Sequence, residues 1–215
     1  MYVVKSPFWL KWLYPGLTWN ESRKEKYIYL TFDDGPIPIV TPFVLKTLKK
    51  FNAKATFFCI GDNIRKHSEI FSEVLAEGHA VGNHTFHHVN GWKTKDKAYL
   101  EDFKKCEDLV ESNLFRPPYG RIKRSQIKKL IELWVEGQNL RTPNSQLKII
   151  MWDVLTYDFD GDLKPEDCLK HTLKHTENGS IVVFHDSLKA QERLEYTLPR
   201  ALAYWTKKGY QFKTW

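Results

Sequence analysis

Cysteine is scarce in this chain of 215 residues, which has only Cys59, Cys106 and Cys168. The odd number and the absence of a Cys-x-x-Cys spacing argue against a disulfide framework and indicate reduced thiols. Cys59 lies inside an apolar run, where a thiol behaves as a small hydrophobic side chain. We therefore expect it to pack with its apolar neighbours rather than to react.

The N-terminal segment lacks an unbroken apolar run. Residues 1–19 contain three tryptophans, but lysines and prolines interrupt them, and no small-residue cleavage site follows. This composition argues against a secretory signal, and the segment is too short and too broken to span a bilayer. We expect residues 1–26 to form an aromatic segment that packs on the domain or, through residues 1–20, lies on a membrane surface. The localisation that follows is cytoplasmic or peripheral at the inner membrane face.

Acidic side chains are outnumbered by basic ones, 26 to 33, which gives a formal net charge of +7. Such an excess is compatible with an acidic partner: nucleic acid, an anionic membrane or a polyanionic polymer. The positive charges are scattered over predicted helices, and no nucleic-acid-binding signature is present, so we expect no nucleic-acid partner. The length and composition predict one globular domain over residues 27–215, in a monomer.

Residues 27–36, with the sequence YIYLTFDDGP, form an apolar and aromatic run that stops at two adjacent carboxylates, Asp33 and Asp34. Gly35 and Pro36 prevent a strand from continuing. The pattern predicts a buried strand with two acids at its C-terminal end, where parallel sheets and barrels keep their chemistry. A strand followed by an Asp-rich turn without function has the same local sequence, so the rest of the chain has to decide.

Strand-like and helix-like segments alternate about seven times along the chain. After the first strand, the predicted strands are 55–61, 79–84, 114–116, 147–154, 180–184 and 210–213. The predicted helices are about 41–51, capped by Thr41, 63–77, 95–112, 123–134, 164–175 and 193–208, with a surface loop over 135–146. This is the spacing of βα units with right-handed crossovers. We therefore predict an α/β fold, a parallel barrel or a barrel with a gap, of about seven strands.

Ionisable side chains follow nearly every predicted strand. They are Asp33 and Asp34, His84 and His88, Arg116 and Tyr119, Asp153 and Asp158, and His185 and Asp186. Because the C-terminal ends of parallel strands in a barrel converge on one face, we expect these residues to surround a single cleft.

The spacing His84-x-x-x-His88 allows two imidazoles to bind one metal ion on a helical turn or a tight loop. One carboxylate with two histidines leaves positions on a divalent ion open for water and substrate, as in hydrolytic metal sites. A second pair, His171 and His175, lies in a predicted amphipathic helix and is interpreted as two surface histidines without a ligand role. His87, between the first pair, is expected to point elsewhere.

Arg116 is the natural partner for a carboxylate that must stay ionised. A surface salt bridge is the alternative. The prolines that follow it, Pro117 and Pro118, favour a fixed backbone, so that the amide of Tyr119 could face a developing oxyanion.

Four stretches together resemble the ordered motifs of the polysaccharide deacetylase family, also called the NodB homology domain or carbohydrate esterase family 4. They are Thr31–Pro36 (TFDDGP), His84–His88 (HTFHH), Arg116–Gly120 (RPPYG) and Val183–His185 (VFH). The resemblance covers residues 27 to 214. It implies a distorted (β/α) barrel and a hydrolase that removes N-acetyl groups from amino-sugar polymers or oligomers such as peptidoglycan or chitin.

The resemblance also implies roles for individual residues. Asp33 would be the catalytic base and His185 the general acid, with Arg116 paired to Asp33 and the Tyr119 amide facing the oxyanion. The metal ligands would be Asp34, His84 and His88, and the metal is expected to be Zn²⁺, with Co²⁺ or Ni²⁺ as alternatives.

The fourth motif of the family departs in this chain. Where the family often has Asp-x-x-Asp-Trp, residues 155–159 read LTYDF, so that the first Asp is Leu155 and the Trp is Phe159. The first Asp commonly supports the acid histidine. Asp153, two residues earlier, and Asp158 are both candidates to replace it. Phe159, with Pro118, is expected at the substrate pocket, where its ring could contact an acetyl methyl group.

Three other functions stay open. The aromatic N-terminus and the positive charge favour a deformylase or deacetylase of a lipid-linked amino sugar. The change at Leu155 is compatible with a carbohydrate-binding protein without turnover, although the other motif residues argue against it. A purely structural metal domain is disfavoured, because the set lacks a fourth protein ligand.

Overall fold

The central element of the fold is strand β1 (Tyr27–Asp33) in a computed structural model, which describes residues 2–137 and 146–215. The other strands are β2 (Thr56–Cys59), β3 (Ala80–Asn83), β4 (Leu114–Phe115), β5 (Lys148–Ile149), β6 (Val154–Leu155), β7 (Ser180–His185) and β8 (Gln211–Phe212). They are joined in parallel in the order β5-β4-β3-β2-β1-β7-β6, and β8 pairs with the start of β1. The predicted barrel of about seven parallel strands is confirmed, in the form of a curled half-barrel.

Helices connect the strands. They are α1 (Phe8–Leu13), α2 (Val40–Lys50), α3 (Gly61–Lys66), α4 (Ser68–Ala76), α5 (Asp96–Val110), α6 (Arg124–Gly137), α7 (Pro165–His175) and α8 (Gln191–Lys207). The helix predicted over 63–77 is interrupted at His67 and forms α3 and α4 instead. Of the loop predicted over 135–146, the first three residues belong to α6, and 138–145 lie outside the described residues.

The prediction that Thr41 caps α2 is wrong, because Thr41 lies inside the first turn of the helix. Its hydroxyl accepts a hydrogen bond from the Ile37 amide at 2.9 Å and donates one to Oδ2 of Asp186 at 2.6 Å. The side chain therefore joins α2 to the residue that follows β7, rather than satisfying the amides of its own helix.

Alternation along β1 separates the core from the site. Ile28, Leu30 and Phe32 are fully buried in the main core, which includes apolar side chains of α2 and α8. Side chains of a strand point alternately to its two faces, so Thr31 and Asp33 share the opposite face, inside the half-barrel. Both are buried. The last residue of β1 thus presents its carboxylate to the interior at the C-terminal edge of the sheet.

The prediction of one continuous strand over 147–154 is wrong. The start of this segment, β5, pairs with β4, and its end extends into β6, which pairs with β7 at the other end of the sheet. Residues 150–153 cross between these two ends. The apolar run could not reveal this break, because a buried crossing segment and a buried strand have the same composition.

The N-terminal segment lies in the gap between β5 and β6. The amide of Thr18 donates to the Ile149 carbonyl at 2.9 Å, and the amide of Leu155 donates to the Val4 carbonyl at 2.8 Å. Val4 is buried, as are Leu17 and Trp19. An uncovered strand edge leaves backbone groups unpaired, and this segment supplies partners to both edges. No helix within residues 2–137 and 146–215 has the length and apolar character needed to cross a membrane.

Candidate functional site

The C-terminal ends of β1 and β3 bring three metal-ligating side chains together. One ligand atom from each of Asp34, His84 and His88 lies within 4.8 Å of the other two. Oδ1 of Asp34 is 3.2 Å from Nε2 of His88 and 3.8 Å from Nε2 of His84. The structure therefore gathers the three residues that the sequence predicted as a ligand set.

The orientation of His84 is set by its second nitrogen. Nδ1 lies 2.7 Å from the carbonyl oxygen of Arg116. A carbonyl can only accept, so Nδ1 carries the proton and Nε2 keeps its lone pair. Burial lowers the pKa of His84 below its usual value. Burial, and then the repulsion that the two rings would feel if both were protonated, lowers the pKa of His88 to about 4. Neutral imidazoles with free nitrogens next to a carboxylate are what a divalent cation requires.

The loop around these ligands has an unusual backbone. Asp34, Thr85 and His88 have positive φ values of 85°, 62° and 55°. Non-glycine residues in this region are strained and are frequent at functional sites. His87, between the two ligands, points elsewhere as expected: its Nδ1 lies 2.5 Å from Oδ1 of Asp102, and the ring is exposed.

Asp33 and Arg116 form a buried ion pair beside this set. Nη1 of Arg116 donates to Oδ1 of Asp33 at 2.7 Å, and the same guanidinium donates to Thr31 and to the carbonyls of Ile150 and Met151. Burial raises the pKa of Asp33, but the charge of Arg116, with the neighbouring His84 and His185 rings, outweighs burial, so that the pKa is lower than usual. Asp33 is therefore held as an unprotonated carboxylate.

His185 ends β7, directly beside Asp33 in the register of the sheet. Its Nδ1 lies 2.8 Å from Oδ1 of Asp158, which is fully buried. Burial lowers the pKa of His185, but the charge of Asp158 and its hydrogen bond outweigh burial and raise the pKa to about 9. The ring is therefore an imidazolium at neutral pH, and the ring of Phe159 packs edge-on against it with the centroids 4.8 Å apart.

These residues line one cavity of about 480 Å³, here called the site cavity. Its lining includes Asp33, Asp34, His84, His88, Tyr119, Phe159 and His185. Its volume is within the range of about 300–1,000 Å³ found for ligand pockets. The site cavity thus combines a candidate metal centre, an ionised carboxylate and a protonated imidazole, which together could hydrolyse a polar bond.

Comparison with known proteins gives the family. The family model described as polysaccharide deacetylase matches residues 20–136, more than half of the chain. This chain belongs to the polysaccharide deacetylase family.

Two curated members of the polysaccharide deacetylase family are similar to the chain over most of its length. A peptidoglycan-N-acetylglucosamine deacetylase of Bacillus cereus is 33% identical over 203 residues, which cover 92% of this chain and 90% of the relative. A chitooligosaccharide deacetylase of Azorhizobium caulinodans is 31% identical over 182 residues, which cover 80% and 79%.

A solved structure supports the same assignment. The Bc1960 peptidoglycan N-acetylglucosamine deacetylase, in complex with 4-naphthalen-1-yl-N-oxidanyl-benzamide, superposes with a TM-score of 0.83 at 29% identity, covering 97% of this chain and 94% of the other. The half-barrel of this chain is thus the fold of the polysaccharide deacetylases.

Asp153 is placed away from His185, which corrects one of the two candidates for the support of that histidine. Residues 150–153 cross between the sheet ends, so Asp153 does not share a strand face with the residues of β6. Its carboxylate is bound by Arg23 at 2.9 Å, by the hydroxyl of Ser180 at 2.7 Å and by Lys11 at 3.3 Å. Asp153 therefore anchors the N-terminal segment.

The expectation that Pro118 lies at the substrate pocket is also corrected. Pro118 is buried, and the proline that lines the site cavity is Pro117. Tyr119 lines the cavity and has a φ of 60°, with its ring centroid 4.5 Å from that of His88. Pro117 therefore makes the contact with the cavity that was expected of Pro118, and the role of the Tyr119 amide stays a prediction.

Several residues of the site had no sequence signal. Trp152 and Lys189 line the site cavity, although nothing in the pattern around either residue indicates it. Asp186 was noted only as an ionisable residue at a strand end. Its Oδ1 accepts a hydrogen bond from the Gly35 amide at 3.0 Å, and burial raises its pKa to about 8. A side chain added to Gly35 would meet Oδ2 of Asp186 at 2.0 Å, which explains the glycine after the two acids.

Proposed function

We propose that this polysaccharide deacetylase removes N-acetyl groups from N-acetylglucosamine units of peptidoglycan-like or chitin-like glycans. The observation that carries the proposal is the site cavity, which collects Asp33, the ligand set and His185 on one surface. The relatives named as peptidoglycan-N-acetylglucosamine and chitooligosaccharide deacetylases support the substrate class.

Asp34, His84 and His88 would hold the divalent metal. The donor set of one carboxylate and two neutral imidazoles suits Zn²⁺, and Co²⁺ or Ni²⁺ are alternatives. When bound there, the ion would supply a Lewis acid that polarises the amide carbonyl and makes a nearby water more acidic. Because the protein supplies only three ligands, coordination positions would remain for the amide carbonyl and for water.

Asp33 would act as the base. It takes one proton from the attacking water as the new C–O bond forms, and Arg116 keeps it ionised until that step. The backbone amide of Tyr119 would donate to the oxyanion that develops on the carbonyl, a contact whose loss typically costs about 3 kcal/mol of the barrier.

His185 would act as the acid. The C–N bond of the amide breaks as the nitrogen receives a proton, because an amine cannot leave as an anion. The imidazolium of His185, maintained by Asp158, supplies this proton. The products are acetate and a free amino sugar. The apolar ring of Phe159 beside His185 would contact the acetyl methyl group.

Acetate release tests the proposal. Protein loaded with Zn²⁺ is incubated with N-acetylglucosamine oligomers and with peptidoglycan glycan strands, next to the same protein after chelation. We expect acetate from the loaded protein alone. The absence of acetate from every glycan, with metal bound at one ion per chain, would contradict the proposed function and favour the carbohydrate-binding alternative.

A lipid-linked amino sugar is a second candidate substrate. The observation that favours it is the exposure of Phe8 and Trp12 on α1, which has no buried residue. Acetylated and formylated amino sugars on a polyprenyl carrier, assayed next to the free glycans, separate the two. A preference for the lipid-linked compounds would replace the glycan proposal.

A further inference from the structure

A second cavity of about 490 Å³ adjoins the site cavity. It lies between the N-terminal segment and the rim of the half-barrel, and its lining is rich in aromatic rings, including Trp9, Tyr14, Trp19, Trp92 and Trp152. We call it the aromatic cavity. Both cavities are lined by Tyr119, Gly120, Arg121, Trp152 and Leu155, so they lie side by side along this wall.

We propose that the aromatic cavity binds the sugar units of a glycan next to the unit that is deacetylated. The proposal rests on the proposed function, because it takes the reacting unit to lie in the site cavity. It adds a substrate preference: oligomers long enough to reach the aromatic cavity would be better substrates than a disaccharide.

The rings at the mouth of the aromatic cavity have the character of a sugar-binding surface. Trp9 is 49% exposed, Trp92 is 56% exposed and Tyr119 is 59% exposed, so each presents part of a flat face to solvent. A pyranose has an apolar face and a rim of hydroxyl groups. It can cover such a face while its hydroxyls remain hydrated.

Trp92 is held in place for this contact. Its Nε1 donates to the carbonyl of Ile122 at 3.2 Å, and the guanidinium of Arg121 lies over its ring, 4.3 Å from the centroid. A ring fixed on both its edge and one face loses little conformational entropy when a ligand binds. The pair of Arg121 and Trp92 is therefore prepared before a ligand arrives.

The position of Arg121 favours a glycan over an acyl chain. Arg121 lines both cavities, so a ligand that occupies both would lie next to a charged residue with five N–H donors. Sugar hydroxyls can accept from these donors, whereas a hydrocarbon chain would displace water from them without offering a partner.

Chain-length dependence tests the proposal. The variants Trp92→Ala and Trp9→Ala remove rings of the aromatic cavity, and Arg121→Gln removes the charge at the junction. Trp12→Ala is the matched control, because Trp12 lies on the same helix as Trp9, is 80% exposed and is not part of the cavity lining. We expect kcat/KM for the pentamer of N-acetylglucosamine to fall about tenfold in Trp92→Ala and Trp9→Ala, with their dimer activity and the Trp12 variant unchanged. Because Arg121 also lines the site cavity, Arg121→Gln should lower kcat/KM on the dimer too, and by a larger factor on the pentamer. An equal loss on dimer and pentamer would overturn the proposal.

Calorimetric binding to the metal-free protein separates this proposal from the proposed function. We expect the pentamer to bind more tightly than the dimer and the cavity variants to remove that difference. If this holds while the loaded protein releases no acetate, the proposed function fails and the binding site stands. If pentamer and dimer bind equally, the binding site fails.

Vesicles of phosphatidylglycerol and phosphatidylcholine supply the remaining outcome. We expect Trp92→Ala to leave vesicle sedimentation unchanged. If Trp9→Ala and Trp92→Ala weaken vesicle binding but not pentamer binding, the aromatic cavity is part of a membrane surface, and the proposal is overturned.

Discussion

Asp158 holds His185 by two contacts from one carboxylate. Oδ1 lies 2.8 Å from Nδ1 of the ring, and Oδ2 accepts a hydrogen bond from the backbone amide of His185, also at 2.8 Å. The ring orientation and the end of β7 are thus set by the same side chain. Because Nδ1 is engaged, Nε2 is the nitrogen that remains available for proton transfer. The second aspartate of the fourth motif therefore orients the histidine in a chain where the first is Leu155.

The pH profile should depend on this pair. His185 has a pKa of about 9 in the folded protein, above its usual value of about 6.5. An acid must be protonated, so activity should be lost as the pH rises through about 9. Replacing Asp158 by Asn removes the charge that raises the pKa, while burial still lowers it. We expect the alkaline limb of kcat/KM to move down by at least about two pH units.

Asp162→Asn is the control for the pH profile, since Asp162 is exposed on the nearby loop and does not contact His185. NMR titration of His185 measures its pKa without turnover. The same shift has a stability consequence: the protonated ring stabilises the fold fully below about pH 6.5, and this contribution is lost as the pH rises through about 9. An alkaline limb that stays in place in Asp158→Asn would show that another group sets it.

The two adjacent acids should separate turnover from metal binding. Asp33→Asn should keep the metal but lower kcat by at least about 100-fold, the typical contribution of a positioned base. Asp34→Asn should lose both metal and activity. Elemental analysis and acetate release on the same preparations measure the two effects. Because Arg116 loses its partner in Asp33→Asn, circular dichroism must show that the variant is folded. Parent-level turnover in Asp33→Asn would remove Asp33 as the base.

Metal content should distinguish neighbouring histidines of one loop. His84→Ala removes a nitrogen that faces Asp34, and we expect the bound metal to fall from about one ion per chain to about a tenth or less. His87→Ala is the matched control, because its ring faces Asp102 and is exposed. Equal metal content in the two variants would contradict the ligand assignment. Chelation should lower the Tm of the parent and of His87→Ala but leave that of His84→Ala nearly unchanged.

Asp153 should contribute to stability rather than to catalysis. It is fully buried and neutralises Arg23 and Lys11, which tie the N-terminal region to the sheet. We expect Asp153→Ala to lower the free energy of unfolding by about 2–3 kcal/mol, less than the ~3–5 kcal/mol of a fully buried pair, because both cations are about a third exposed.

Urea denaturation measures the effect of Asp153→Ala, with Asp108→Ala as the control. Asp108 forms an exposed ion pair with Lys104 on α5, and its loss should leave the transition unchanged. If Asp153→Ala unfolds at the parent midpoint yet loses turnover, Asp153 belongs to the functional site after all.

The parts of the site that the sequence predicted are those that follow a strand directly. Asp33, Asp34, His84 and His185 each come at or just after the end of a strand, and parallel strands bring such ends to one edge. The same rule could not distinguish Asp153 from Asp158. Both lie near one predicted strand, and it is the break over residues 150–153 that places their carboxylates in different surroundings. The aromatic cavity could not be predicted from the sequence either, because its rings come from segments with no shared local pattern.

The sequence by itself determined the chemical groups available to this protein and the edge of the sheet at which they meet, because strand alternation and motif order are properties of neighbouring residues. Tertiary structure alone decided that Asp158 supports His185, that the N-terminal segment fills the gap between β5 and β6, and that two cavities share Arg121 and Trp152 in their linings. These relationships depend on which distant strands pair and where one strand is interrupted. Both are settled by burial and by backbone hydrogen bonds formed across the whole chain.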